Sequence, residues 1–376
     1  MTPERPPWDL RADALRDVPT GSDGLPMMLA DYESVFDRIV PPSSHAYYAG
    51  GGADELTLRA NATAWRERTL WPRVLGGVDD VDPSCDLLGL RLPHPFVVAP
   101  TAFHGLADPE AEIATARGAR DAGALYVLST LAHVAPTELA AAVPTVLRWF
   151  QLYVLRDRGL TRATVEAAAA AGFGALVVTA DLPPAGRRER ELRTGHLLGG
   201  DRPVPAFAAT GRTDPVTAAD LPALLEPALT WDDLAEIAGW SSLPIVVKGV
   251  LHPADARRAV EAGAAAIVVS NHGGRQLDTS PATAVALPRC AEAVAGRIPI
   301  IVDGGIRRGT DAVKARALGA TAVGIGRPVL HGLAVGGSAG VAGVLGILVD
   351  ELRNALALLG VRAFEDVGPA ALDPDA

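Results

Sequence analysis

The chain has 376 residues and a mass of 38.9 kDa, more than a typical single domain but within reach of one large α/β barrel. Hydrophobic residues make up 49% and charged residues 21%, which excludes a disordered or collagen-like chain. Asp and Glu total 44 against 34 Lys and Arg, a formal net charge of −10 that disfavours nucleic acid and anionic membranes as partners.

Two cysteines, Cys85 and Cys290, are too few for a disulfide framework, so a reducing, cytoplasmic home is expected. Met1-Thr2-Pro3-Glu4-Arg5-Pro6-Pro7 lacks a basic segment followed by an apolar one, so no signal peptide is expected. The weakly polar run 332–349 approaches the length of a membrane span. Its glycines, and its continuation into Asp350-Glu351-Leu352-Arg353, make it a loop and a buried helix instead.

In chain order, residues 1–95 read as helical segments capping the domain. Strands follow at Phe96-Val97-Val98-Ala99, at Leu125-Tyr126-Val127-Leu128-Ser129, within 146–154 and at Leu176-Val177-Val178-Thr179. Four more lie at Pro244-Ile245-Val246-Val247-Lys248, Ile267-Val268-Val269-Ser270, Pro299-Ile300-Ile301-Val302-Asp303 and Ala322-Val323-Gly324-Ile325. These runs are apolar and β-branched, as in strands buried on both faces. Four of them follow a helix-like stretch closed by Gly123, Gly172, Gly263 or Gly319, positions suited to a left-handed cap. Eight strands alternating with helices over 96–335 predict a (β/α)8 TIM barrel, with a closing helix and tail over 336–376 and the whole chain one domain. A doubly wound sheet would require a glycine fingerprint after its first strand, where Pro100-Thr101-Ala102 stands instead. Residues 189–230 form an insertion after the fourth strand, read either as an active-site lid or as a surface loop.

Each predicted strand ends in a hydrogen-bonding or ionisable residue: Thr101, Ser129, Gln151 with Tyr153, Thr179 with Asp181, Lys248, Ser270-Asn271-His272, Asp303 and Arg327. A barrel carries its active site at this rim. Asp303-Gly304-Gly305-Ile306-Arg307 and Gly324-Ile325-Gly326-Arg327 end the seventh and eighth strands, where barrels bind phosphate; tight turns with exposed arginines are the alternative. His272 is the natural general base, Asp181 a partner for its protonated form, and Arg275 a planar fork for a carboxylate. No cluster has metal-ligand spacing, so no metal is expected.

The string Ser270-Asn271-His272-Gly273-Gly274-Arg275-Gln276-Leu277-Asp278 resembles the FMN-dependent α-hydroxy-acid oxidase and dehydrogenase family, and most nearly its hydroxymandelate oxidases. So do Pro100-Thr101-Ala102, Gln151-Leu152-Tyr153-Val154, Gly186-Arg187-Arg188, Lys248-Gly249-Val250 and Asp303-Gly304-Gly305-Ile306-Arg307, and the resemblance runs from about Leu29 to about Leu359. It implies an FMN phosphate on Gly305, Arg307, Gly326 and Arg327, with Asp303 near the ribityl chain. It implies ring contacts from Thr101, Ala102, Ser129, Gln151, Thr179 and Ser270, with Lys248 at the ring edge where negative charge accumulates. Tyr47, Arg188 and Arg275 are the implied receptors of the substrate carboxylate, Tyr153 of its hydroxyl, with His272 as base and Asp181 behind it. The sequence departs from glycolate oxidases at Leu131, where they carry Trp. With Phe103 at a position expected to face the pocket, this points to a bulky or aromatic (S)-2-hydroxy acid.

The implied reaction yields a 2-oxo acid, with oxygen as acceptor and hydrogen peroxide released. The alternatives are a dehydrogenase using a quinone or cytochrome, disfavoured because the insertion carries no apolar segment, and a flavin-binding barrel without catalysis. A homo-oligomer, by family analogy a homotetramer, is expected.

Overall fold

A computed structural model of the chain describes residues 5–182, 184–195, 203–210, 217 and 220–374. Ten strands are present among them. β1 (Cys85–Leu87) and β2 (Leu90–Leu92) form an antiparallel hairpin. The other eight are β3 (Phe96–Val98), β4 (Leu125–Ser129), β5 (Arg148–Leu152), β6 (Leu176–Thr179), β7 (Ile245–Val250), β8 (Ala266–Val269), β9 (Ile300–Val302) and β10 (Ala322–Ile325). They are all parallel and close in sequence order, with β10 returning to β3 through Val323 opposite Phe96. This is the (β/α)8 barrel that the strand pattern predicts, and every strand lies within the run assigned to it or within one or two residues of its ends.

The expected glycine caps hold. Gly123, Gly172, Gly263 and Gly319 all take left-handed φ values, between 75° and 101°. That conformation turns each helix end directly into the next strand.

The N-terminal region corrects the expectation of helices alone. Helices Leu29–Ile39, Pro42–Ala49 and Leu56–Glu67 are there, but β1 and β2 precede the barrel. The hairpin has strands of three residues, too short to show alternation. Its turn is Leu88-Gly89, both at positive φ, where the usual sequence signal is Asn-Gly or Asp-Gly.

The apolar C-terminal run is one helical element, Arg327–Leu359, broken by non-helical backbone at Gly336 and Gly337. It is long and apolar enough by composition to cross a membrane, yet half of its apolar window is buried inside the molecule. Its two halves fold against each other at Gly332 and Gly340, where an added Cβ on Gly340 would stand 2.0 Å from the Gly332 carbonyl oxygen. It packs against helices Leu29–Ile39 and Ala111–Ala122, the latter through Gly118, where a Cβ would meet the Ser338 carbonyl at 2.4 Å. The described parts of the 189–230 insertion form helices Glu189–Thr194 and Leu221–Leu224 and a 3-10 turn at Pro205–Thr210. Residues 196–202, 211–216 and 218–219 of that insertion lie outside the described residues.

Candidate active site

The strand ends converge on a cavity of about 320 Å³ at the C-terminal rim. Its floor is held by a buried polar layer. Ser129 donates to Gln151 Oε1 at 3.1 Å, and Gln151 Nε2 donates to Thr179 Oγ1 at 3.0 Å, tying β4, β5 and β6 together. Lys248 Nζ donates to Ser270 Oγ at 3.0 Å and stands 3.5 Å from Asp303, linking β7, β8 and β9. Strand side chains in a closed barrel must point inward or outward. Polar residues at the last inward position therefore meet their counterparts from neighbouring strands.

His272 Nδ1 lies 3.0 Å from Asp181 Oδ1. A carboxylate only accepts, so Nδ1 carries the hydrogen and Nε2 is left as an acceptor. Two local features bring the pair together. His272 sits at φ 57°, a conformation uncommon outside glycine, held by the donation of its backbone N–H to Ser270 Oγ at 3.1 Å. Gly249 produces a bulge in β7 at φ 105°, and a Cβ there would stand 2.5 Å from Asp181 Cγ. Burial lowers the pKa of His272, Asp181 opposes that shift, and Lys248 adds to it. For Asp181, burial pushes the pKa upward, but His272 and Lys248 outweigh it and hold the carboxyl below its ordinary value. The dyad therefore rests as neutral imidazole against carboxylate, ready to accept a proton.

Arg275 stacks over the Tyr47 ring with its guanidinium carbon 4.9 Å from the centroid, and donates to the carbonyls of Tyr47 and Gly50. Arg188 lies beside it. Both reach the buried Glu191, at 3.3 Å from Arg275 and 3.5 Å from Arg188. Three buried polar atoms in this region have no partner among the described residues: Arg188 Nε, Asp181 Oδ2 and Asp303 Oδ1. Unpaired buried groups are costly, and their grouping at one cavity marks it as built for polar ligands.

The phosphate end has its own architecture. Gly304 and Gly305 follow β9 at φ 92° and 85°, and Gly305 packs so tightly on Asn61 that a Cβ would stand 2.3 Å from its carbonyl oxygen. Arg327, at the start of the C-terminal helix, donates to the carbonyls of Tyr48, Gly273 and Gly50. Burial, with Arg275 and Arg307 nearby, lowers its pKa to about 9. Arg307 bonds the Ile306 carbonyl, and neither arginine has a carboxylate within ion-pair distance among the described residues. Two guanidinium groups without an ion-pair partner among the described residues, beside a helix N-terminus and partly exposed glycine backbone, make a dianion cradle. The cradle, the unpaired Asp303 oxygen and the Lys248 ammonium in one cavity suit a phosphate, a hydroxylated chain and a ring that accumulates negative charge. These residues fit FMN.

The predicted residues fall into two shells. Tyr47, Thr101, Ala102, Ser129, Leu131, Tyr153, Arg188, Lys248, His272, Arg275, Asp303, Gly305, Arg307, Gly326 and Arg327 line the cavity. Gln151, Thr179, Ser270 and Asp181 lie immediately behind them, in the hydrogen bonds given above. Phe103 departs from expectation: it is fully buried, does not line the cavity, and packs behind Tyr47 with the rings tilted at 54° and their centroids 5.8 Å apart. Its left-handed φ of 60° turns the side chain away from the pocket. Sequence reasoning missed Glu191, Gln276 and Asn61. Gln276 ties the His272 loop to the carbonyls of Asp181 and Leu182 and accepts from Gly186 N. Asn61 makes a reciprocal amide pair with Asn271 at 2.8 and 2.7 Å, fixing the same loop from the N-terminal helix. Asn271 and Gln276 stand in the recognised string, but nothing local shows what they would touch.

Fold and site together define a flavin-dependent oxidoreductase of the barrel type. A family model described as FMN-dependent dehydrogenase matches residues 36–374, and the chain belongs to that family. It is 44% identical to an L-lactate oxidase of Nostoc sp. over 363 residues, covering 92% of this chain and 98% of the relative. It is 40% identical to a glycolate oxidase of Spinacia oleracea, covering 92% of this chain and 95% of the relative. A solved structure of mandelate oxidase superposes with a TM-score of 0.85 at 41% identity, over 92% of this chain and 98% of that one.

Proposed function

We propose that the protein oxidises a 2-hydroxy acid to the 2-oxo acid with oxygen as the electron acceptor, releasing hydrogen peroxide. The observation that carries this reading is the His272–Asp181 dyad standing in one cavity with Arg188 and Arg275. The relatives support it, since they are lactate, glycolate and mandelate oxidases.

FMN, when bound on the cradle at β9 and β10, supplies the two-electron acceptor. The chain's own residues do the rest. Arg275 and Arg188 bind the carboxylate, and the Tyr47 ring fixes the plane of the Arg275 fork. Converting the alcohol to a ketone removes two electrons and two protons from the substrate. His272 Nε2 receives one proton, and the imidazolium formed is stabilised by Asp181 on the opposite nitrogen, while the second proton would leave with the electron pair for the bound flavin. Lys248 offsets the negative charge that develops beside Ser270 and Asp303.

The side-chain pocket favours a bulky or aromatic acid of (S) configuration. Leu131 is 5% exposed in the cavity wall, and Leu182, Leu221, Pro222 and Leu225 supply further apolar surface, three of them from the insertion. These wall residues support the reading of the insertion as a lid over the reading as a surface loop. A cytoplasmic home and a homotetrameric state belong to the same proposal: Cys85 and Cys290 are buried free thiols, as suits a reducing compartment.

The test is anaerobic bleaching of the FMN-loaded protein by (S)- and (R)-mandelate, lactate and glycolate, followed by admission of oxygen and assay of peroxide. Bleaching by (S)-mandelate with peroxide formed on re-aeration is expected. Bleaching without reoxidation by oxygen would instead indicate a quinone or cytochrome acceptor. No bleaching by any acid would leave a flavin-binding barrel without catalysis.

A further inference from the structure

We propose that Glu112, a residue outside the cavity, is a positioning residue that sets substrate selection by clamping the two loops that shape the side-chain pocket. This rests on the reading of the cavity as a 2-hydroxy-acid site.

Glu112 lies in the first turn of helix Ala111–Ala122 and is completely buried. Its two oxygens serve different loops. Oε1 accepts from His104 N at 3.0 Å in the loop after β3, and Oε2 accepts from His133 N at 3.0 Å in the loop after β4. No cation lies within ion-pair distance of it among the described residues. Thr115, almost one turn further along the same helix face, completes the clamp. His104 bridges it to the cavity, with Nδ1 2.8 Å from Thr115 Oγ1 and Nε2 2.7 Å from Thr101 Oγ1.

The clamped loops are also joined to each other. Phe103 N donates to the Leu131 carbonyl at 3.1 Å, and Gly105 N donates to His133 Nδ1 at 2.9 Å. Phe103 is held at φ 60°, a conformation that a bulky side chain keeps only where its surroundings over-determine it. The outcome is positional: Leu131 stands in the cavity wall, and the Phe103 ring backs Tyr47, the platform under Arg275. A completely buried carboxyl group with no cation beside it is a costly way to satisfy two N–H groups. Here both donors belong to the loops whose neighbouring residues wall the pocket, so its placement governs the shape offered to the substrate side chain.

The test uses the FMN-loaded full chain. Glu112→Gln keeps the volume but offers one acceptor and one donor, so one loop N–H loses its partner. Two ratios are measured: kcat/KM for (S)-mandelate over glycolate, and Kd for phenylglyoxylate over glyoxylate from the flavin spectrum. FMN content should be unchanged, and both ratios should move by about fivefold or more. In a Phe103→Leu background, where the backing of Tyr47 is already loosened, the same substitution should move them by less than about twofold. Equal losses for both acids, leaving the ratios fixed, would overturn the proposal. If Glu112→Gln does not fold, Thr115→Val removes the His104 contact alone: shifted ratios support the clamp and unshifted ratios overturn it. A wild-type preference for glycolate would remove the bulky-substrate reading, while the change in ratio would still decide the clamp.

Discussion

At His272, a left-handed backbone, a carboxylate on Nδ1 and a lowered pKa act together. Replacing it with Ala should leave FMN bound, because the cradle is formed by other strand ends, and should leave 2-oxo acid binding to Arg188 and Arg275. Anaerobic stopped-flow absorbance should show flavin reduction slowed by at least ~10²-fold, the low end of a general base's contribution. Reduction at the wild-type rate would assign the base elsewhere. The pKa direction makes a second claim: the base must be neutral to act, and burial disfavours its charged form. The acid limb of the kcat/KM profile should therefore fall below 6.5, the ordinary value for imidazole. Leu131→Trp fills the cavity wall and should shift selectivity from mandelate towards glycolate by about 1–3 kcal/mol, read as the ratio of kcat/KM values.

Gly249 shows how an element, not a single side chain, places the dyad. The bulge between Lys248 and Val250 re-aims the end of β7, and the space left by the missing side chain is filled by Asp181. Gly249→Ala puts a methyl group against the carboxylate at a φ of 105°, which suits glycine alone. The expected result is a loss of flavin reduction with a small loss of FMN affinity, since Asp181 and not the phosphate cradle is displaced. Equal losses in both, measured by stopped-flow and by fluorescence titration, would mean that the strand had shifted as a whole. The Lys248-Gly249-Val250 string is visible in the sequence, but the neighbour that makes its glycine necessary, Asp181, lies just beyond β6.

Across the whole molecule, buried titratable groups set how stability responds to pH. His104, with its pKa lowered to about 3, and His331, lowered well below the ordinary value, stay neutral when folded, in both cases mainly through burial, and burial moves His94 and His272 in the same direction. Unfolded imidazoles protonate below 6.5, so over this window the unfolded state binds more protons and stability falls as pH falls. Glu112 runs the other way. Burial raises its pKa from 4.5 to about 7, so the folded state binds its proton over that range and stability falls as pH rises through it. Asp311, also raised by burial, acts with Glu112, and His104 and His331, the two imidazoles lowered furthest, oppose them. The midpoint of thermal unfolding at saturating FMN should be lower at pH 5 than at pH 7.5, and the reverse order would show that the carboxyl groups govern.

The barrel was legible in the sequence because its signals are local. Apolar runs of four to six residues and glycine at helix ends follow from backbone sterics and strand burial, and they need no knowledge of neighbours. The rim residues were legible for the same reason, since they sit at strand ends, and a family resemblance gave them roles. The hairpin Cys85–Leu92 was not legible, because three-residue strands carry no period and Leu88 takes a turn conformation usually held by Asn or Asp. Nor was the true place of Phe103, which a single left-handed φ turns behind Tyr47. Glu112 and Asn61 are ordinary polar residues in helical stretches and Glu191 one more in the insertion, and only closure of the barrel and its cap brings them to the loops and arginines they hold. Local periodicity thus determined which segments are strands and which residues reach the rim. Long-range hydrogen bonds, whose partners lie far apart along the chain, were decided by the tertiary structure alone.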